Sequence, residues 1–507
     1  MRSEFSTCIA TIGLAMLALP CRSPAQNQDN TPKHDHYKLF VLGTLGGSQS
    51  WGDPGHGAAN ISNPGTAVGV ADTAIPDPFY PIFNPGFASL IGLNPFVYHV
   101  FATKGGALVD LGGLFPGGDS NASFVTENGL VSGNALDGSI DPLTGFPAQN
   151  AVLWKDGKII NLGTLGGYES GAGWANSRGQ VVGFSSNTTP DPFSLFGVVT
   201  QTRAFMWQNG KMEDLGTLGG PDAVAVFINE QGQAAGLSYT NSTPNAVTGL
   251  PTTDPFFWDK GKMTDLGTLG GTFGSTGEDV AINNRGQVIG GSNIAGDLTS
   301  HAFLWPGEGD KMRDLGTLGG DFSTATAINN AGEVVGLAAT ADSVHGFFWK
   351  NGEMTDVGTL PGDCFSGVFG INDRDQVVGS SFSCDFTTTR AILWEDGQII
   401  DLNVFVPPST DLTLLGVEKI NERGELFGEG ILSTGDSRAF ILIPCDENHP
   451  NIGGCDYTPM KVSAAAASHA TETTAHKQLT PKEISRIRTL LMNRQRGFMS
   501  RTIGSAH

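Results

Sequence analysis

Between Leu315 and Asp356 short apolar stretches alternate with turns in an order that predicts four strands. Thr324 to Asn329 alternates apolar and polar positions. Asn330-Ala331-Gly332 then reads as a turn, because Asn and Gly tolerate positive φ. Glu333 to Ala338 is a second strand, and His345 to Trp349, rich in aromatics, a third. Asn351-Gly352 is a favoured hairpin turn, and Met354 to Leu360 supplies the fourth strand. The turn recurs near Asn63, Asn128, Asn176, Asn229, Asn283, Asn329, Asn372 and Asn421. The third strand recurs at Val97 to Phe101, Ala151 to Trp154, Ala204 to Trp207, Phe256 to Trp258, Ala302 to Trp305, Phe347 to Trp349, Ala391 to Trp394 and Ala439 to Leu442.

Four short antiparallel strands in roughly 40 to 50 residues match one propeller blade. The expected fold is therefore all-β, a propeller of about eight four-stranded blades, with seven the fallback if two degenerate units merge. The last unit stops without its fourth strand, while Tyr37 to Gly47 is a fourth strand with no preceding three. Pairing the two removes two open edges and closes the ring.

Between third strand and next turn stands a fixed phrase, Asp-Leu-Gly-Thr-Leu-Gly-Gly, at Asp214 to Gly220, Asp265 to Gly271 and Asp314 to Gly320. Variants stand at Asn161 to Gly167, Asp110 to Gly113 and Asp356 to Gly362. Repetition at this frequency marks units that bury their apolar faces against their neighbours. The order Ala-Phe-Leu-Trp, Gly-Lys-Met-x-Asp-Leu-Gly-Thr-Leu-Gly-Gly, Ile-Asn-x-x-Gly-x-Val-Val-Gly resembles the extracellular HAF repeat family over about residues 37 to 443. The triplet that names it stands here as His301-Ala302-Phe303. The resemblance implies an exported bacterial protein and brings no activity, substrate or catalytic residue. Units one and two depart most, since Phe101-Ala102 lacks the Trp and Leu111 to Gly118 is scrambled.

Composition fits this plan. Glycine is abundant (71 of 507 residues) and charged residues are sparse at 16%, which suits many tight turns and argues against a helical bundle. The formal net charge of −21 divides into +1 over residues 1–25, +6 over residues 461–507 and −28 between them. Nucleic acid and anionic membrane surfaces are poor partners for that acidic body.

Residues 1–25 read as a signal peptide: Arg2, an apolar run from Cys8 to Leu19, and small residues at Ser23-Pro24-Ala25. Cys21 raises a lipoprotein alternative that Pro20 before it fits poorly. Residues 26–36 are a disordered leader, and the expected location is extracellular or periplasmic. After cleavage four cysteines remain, and an even number in an exported chain favours two disulfides. Local pairing gives Cys364 with Cys384, and Cys445 with Cys455 in a stapled loop over residues 444–460. Residues 461–507 form a linker and then a basic amphipathic helix, opened by Thr480-Pro481-Lys482-Glu483. Such a helix would contact a membrane or wall polymer, or dock on the acidic ring.

No catalytic, cofactor or metal constellation emerges from the sequence. The glycine phrase lacks the Lys and Ser or Thr of a phosphate loop. The repeated Asp110, Asp214, Asp265, Asp314, Asp356 and Asp401 occupy equivalent positions, whereas acid–base pairs need distinct environments. They read as turn acceptors. Trp154, Trp207, Trp258, Trp305, Trp349 and Trp394 end third strands and are expected to pack between blades. The first four units carry long insertions between second and third strands: Val70 to Tyr98, Asn134 to Asn150, Phe184 to Arg203 and Leu237 to Asp254. These insertions are expected to raise one rim, with Trp51, Trp174, Asp77, Phe79, Asp191 and Phe193 as candidate ligand contacts. Asp77 or Asp191 alone does not make a calcium site, since one Asp before Pro supplies too few ligands, and calcium would need acidic loops that converge in space.

The leading expectation is an exported, non-enzymatic monomer that binds a polysaccharide, a wall component or a protein through this rim. The alternatives are a hydrolase or lyase acting in the channel, and a structural envelope or matrix protein.

Overall fold

The structure, a computed structural model, describes residues 37–450 and 452, except 53–59, 81–94, 105, 196–197, 247–248 and 278. The signal peptide, leader, Cys455, linker and C-terminal helix expected from sequence lie outside the described residues. Within them the protein is all-β and propeller-like, with one short 3₁₀ helix at Leu402–Phe405. Its strands group into seven hydrogen-bonded sheets. One has eight strands and consists of two four-stranded halves, units four and five, joined by a parallel pairing of Thr253 with Phe273.

Unit six is laid out as the sequence predicts. Its strands are Ser323–Ile328, Val334–Ala339, Val344–Lys350 and Glu353–Gly358. The last unit comprises Thr413–Ile420, Leu426–Ile431 and Ser437–Pro444. Its fourth strand is Tyr37–Val41, antiparallel to Ser437–Pro444 from Tyr37 opposite Pro444 to Val41 opposite Phe440.

Two sequence motifs have one packing cause. In the first strand a bulge brings its carbonyls close to the second strand, as between Ala225 and Phe227. A Cβ on Gly236 would lie 1.9 Å from the Val224 oxygen, and one on Gly336 would lie 2.1 Å from that of Thr324. Only glycine fits, which explains Val-Val-Gly. The phenylalanine of the third strand then lies over the bare glycine: Phe347 stands 2.8 Å from the Cβ position at Gly336. Phe303 and Phe347 are fully buried in a core that runs through several units. Between units the third-strand tryptophans pack on the preceding sheet, with Trp305 5.0 Å from Phe257 and Trp394 5.2 Å from Phe348.

The repeated Asn joins one unit to the next. Asn329 Oδ1 accepts the Glu333 N–H at 2.9 Å and shapes its own turn, while its Nδ2 donates to the Asn372 carbonyl at 3.1 Å. The same inter-unit bond runs from Asn176 to Asn229, Asn229 to Asn283, Asn283 to Asn329 and Asn372 to Asn421. Asn421 Nδ2 donates to the carbonyl of Ser62, in unit one, at 2.9 Å.

Cys364 and Cys384 form the expected disulfide, with Cα atoms 4.8 Å apart, across the first two strands of unit seven. Cys445 is disulfide-bonded as well.

Candidate functional site

Each unit runs up, down, up, down. The Asn turns therefore lie on one face, and the second-to-third hairpins and the Gly-rich connections lie on the other. The long insertions are extensions of strands two and three: Val131–Ile140 pairs with Pro147–Lys155, Val181–Pro190 with Thr200–Gln208, and Ala234–Pro244 with Pro251–Asp259. A register shift precedes each tip, between Leu136 and Ile140, Ser186 and Pro190, and Tyr239 and Pro244.

Exposed apolar side chains concentrate on the hairpin face. Of thirteen large ones among the described residues, nine border or occupy second-to-third hairpins: Ile75, Tyr80, Phe96, Ile140, Leu143, Phe146, Val199, Leu298 and Phe386. Tyr168 and Val404 lie in fourth-to-first connections on the same face, and none of the thirteen lies in an Asn turn. Single exposed hydrophobics are ordinary; here most of them fall on the hairpin side of their units.

None of the candidate rim residues is exposed. Trp51 is buried against Val68 and Val70. Trp174 sits on a first strand, stacked 4.0 Å from Phe124 and edge-on to Phe227 at 5.2 Å. Asp77 and Asp191 are buried and turned into their own loops, accepting the Phe79 N–H at 2.8 Å and the Phe193 N–H at 2.9 Å. Phe79 packs edge-on against Phe115, and Phe193 on the cluster of Leu195 and Tyr239. The exposed chains are their neighbours, such as Tyr80 and Val199. Sequence reasoning favoured the motif residues over the irregular ones at the tips, where no repeat register applies.

Sequence reasoning also missed a buried ion pair between distant units. Lys419 Nζ lies 2.7 Å from Asp279 Oδ1, and both side chains are buried. They belong to units eight and five, so the pair joins first-strand segments that are far apart in sequence. Lys419 stands where other units have Phe124, Trp174, Phe227, Ala281, Ala327 or Gly370. Asp279 lies in a longer first-strand segment: Gly271 to Asn283 spans twelve positions, against nine from Gly220 to Asn229. A lone charge in an apolar register and a three-residue insertion were the available signals.

The repeated carboxylates are turn acceptors, as expected. Gly112, Gly216, Gly267, Gly316 and Gly358 each donate a backbone N–H to the Asp two positions earlier, at 2.7–2.8 Å. Most also face a base on the third strand: His99 with Asp110, Arg203 with Asp214, His301 with Asp314, His345 with Asp356 and Arg390 with Asp401. His301 is thus partner to the Asp of the fixed phrase. Burial pushes Asp110 and Asp356 up, but hydrogen bonds from His99 and His345 outweigh it and hold both below their usual range.

Unit four breaks the pattern with Asp254 facing Asp265. Burial and then the Asp265 charge push Asp254 up to about 7. The folded state keeps its proton there, whereas the unfolded carboxyl releases it near 3.8. This contribution to stability is complete below the unfolded value and is lost as pH rises through about 7. Asp254→Arg, which copies unit three, is expected to raise the urea midpoint at pH 8 by about 0.5–1 kcal/mol equivalent. It is also expected to flatten the fall between pH 5 and 8.

Among the described residues no group of three or more His, Cys, Asp or Glu is placed to share a metal ion. No protein-family model matches the chain. No curated protein matches it either. Solved structures that resemble it include Porphyromonas gingivalis dipeptidyl peptidase 4 (9% identity, TM-score 0.45, 74% of this chain and 57% of that one). Others are a puromycin hydrolase (11%, 0.34, 79% and 61%) and a Trypanosoma rangeli sialidase (8%, 0.32, 80% and 58%). The chain spans between half and two thirds of the length of these proteins. At such identities and scores none of their activities transfers to it.

Proposed function

We propose that the units close into a single eight-bladed propeller, and that this ring is an exported, non-enzymatic module binding an extracellular ligand through its hairpin face. The ligand classes are a polysaccharide, a wall component or a protein. The collection of exposed apolar chains on one face carries the proposal. The bond from Asn421 to Ser62 and the pairing of Tyr37–Val41 with the last unit support the closed ring. Membership of the HAF repeat family rests on the sequence motifs. Export is supported by the disulfide between Cys364 and Cys384. The channel-enzyme reading gains nothing from Lys419 and Asp279, because each neutralises the other.

The test is binding of residues 26–507 to an array of glycans and wall polymers and to envelope proteins. It compares the wild type with a variant carrying Tyr80→Ser, Leu143→Ser, Phe146→Ser and Tyr168→Ser. Retention is expected to fall by more than about tenfold, since hot-spot aromatic contacts contribute about 2 kcal/mol or more each. Equal retention by the variant would refute the face assignment.

A further inference from the structure

Two carboxyl groups with only carboxylates acting on them meet beside the Asp-Pro-Phe tip of unit three. Asp222, at the start of unit four, is fully buried, and its two oxygens accept N–H groups from Leu195 at 2.7 Å and Thr202 at 2.9 Å. These bonds staple the tip to the next unit. Asp191, 6% exposed, lies against Asp222. Its Oδ1 takes the Phe193 N–H, while its Oδ2 is buried with no hydrogen-bond partner. Ser194 and Thr202 are buried beside them, with hydroxyl oxygens 3.3 Å apart. The phenol of Tyr239 is occupied by the Phe193 carbonyl at 3.0 Å. The charged groups acting on Asp222 and Tyr239 are carboxylates alone.

Two carboxylates in an apolar pocket cannot both ionise without a cation or a shared proton. The set on offer, two carboxyls and two hydroxyls from the unit-three hairpin and the start of unit four, is hard oxygen throughout and suits calcium. The arrangement recurs in part at the other Asp-Pro-Phe tip, where Asp77 acts on the buried Asp119, which accepts the Tyr98 N–H.

We propose that Asp191 and Asp222, with the hydroxyls of Ser194 and Thr202, form a calcium site that pins the unit-three hairpin to unit four. With only two carboxylates, its affinity falls in the range of extracellular modules, roughly 10⁻⁴ to 10⁻³ M. The rival is a proton held between the two acids. Burial, offset only in part by two backbone N–H groups, and then Asp191 push Asp222 up to about 8. A proton-held pair would therefore lose its stability as pH rises through about 8.

The experiment is thermal unfolding of residues 26–507, with calcium titrated against EDTA at constant ionic strength. The expected result is a saturable rise in Tm in the wild type that is lost in Asp191→Asn, which keeps the Oδ1 acceptor. In Ser194→Ala the titration midpoint is expected to shift severalfold to higher calcium, which keeps the site testable should Asp191→Asn fail to fold. A rise of equal size and midpoint in both variants would place calcium elsewhere and overturn the assignment. So would an absence of any calcium effect together with an alkaline loss of stability that Asp222→Asn removes, the signature of the shared proton. None of these readouts depends on ligand binding at the hairpin face.

Discussion

Lys419→Ala is expected to lower the free energy of unfolding by about 3–5 kcal/mol, the usual cost of leaving a buried charge without its partner. Lys419 Nζ and Asp279 Oδ1 are 2.7 Å apart with both side chains buried, so the mutant breaks a buried ion pair and removes its cation. The double variant Lys419→Met with Asp279→Leu is expected to recover most of that loss, because an apolar pair of similar volume is often neutral or better. Urea unfolding of the four proteins in a double-mutant cycle gives the coupling directly. A single mutant within about 0.5 kcal/mol of wild type would mean that the two groups are hydrated rather than buried.

The second large effect belongs to the N-terminal strand. Deleting residues up to 43 removes Tyr37 and Leu42, both almost wholly buried. It also bares the edge of Ser437–Pro444, which pairs with Tyr37–Val41 along five positions. Burial of the two side chains alone accounts for roughly 3–6 kcal/mol, and the bared edge adds a route to aggregation. The truncated chain is expected to unfold at markedly lower temperature and to associate on heating. Equal melting temperatures for chains beginning at 26 and 44 would show that the last unit does not rely on the first residues.

The regular part of this molecule was legible because each motif answers a local steric demand repeated unit by unit. Val-Val-Gly follows from a carbonyl that leaves no room for a Cβ at Gly236 or Gly336. Asn-x-x-Gly follows from an amide that closes its own turn and bonds the next, as at Asn329. The incomplete last unit and the lone strand at Tyr37 could be matched because an unpaired edge is costly. The candidate site was less legible, for the opposite reason. Tyr80, Leu143 and Tyr168 lie where the register lapses, and nothing in their spacing distinguishes a tip from a strand end. Asp222 belongs to no repeated motif, yet its carboxyl accepts N–H groups from Leu195 and Thr202. The conspicuous residues Trp51, Trp174, Asp77 and Asp191 recur or stand out because they build the scaffold, and that role buries all of them but Trp174, which is half-buried.

Differential hydrogen exchange tests the central claim most directly, on residues 26–507 with and without the array component or envelope preparation that retains them. Protection is expected in the hairpins around Leu143 and Tyr80 and in the connection at Tyr168, with the Asn turns from Ser62 to Asn421 unchanged. Protection confined to the Asn turns, or retention with no change at the hairpins, would contradict it.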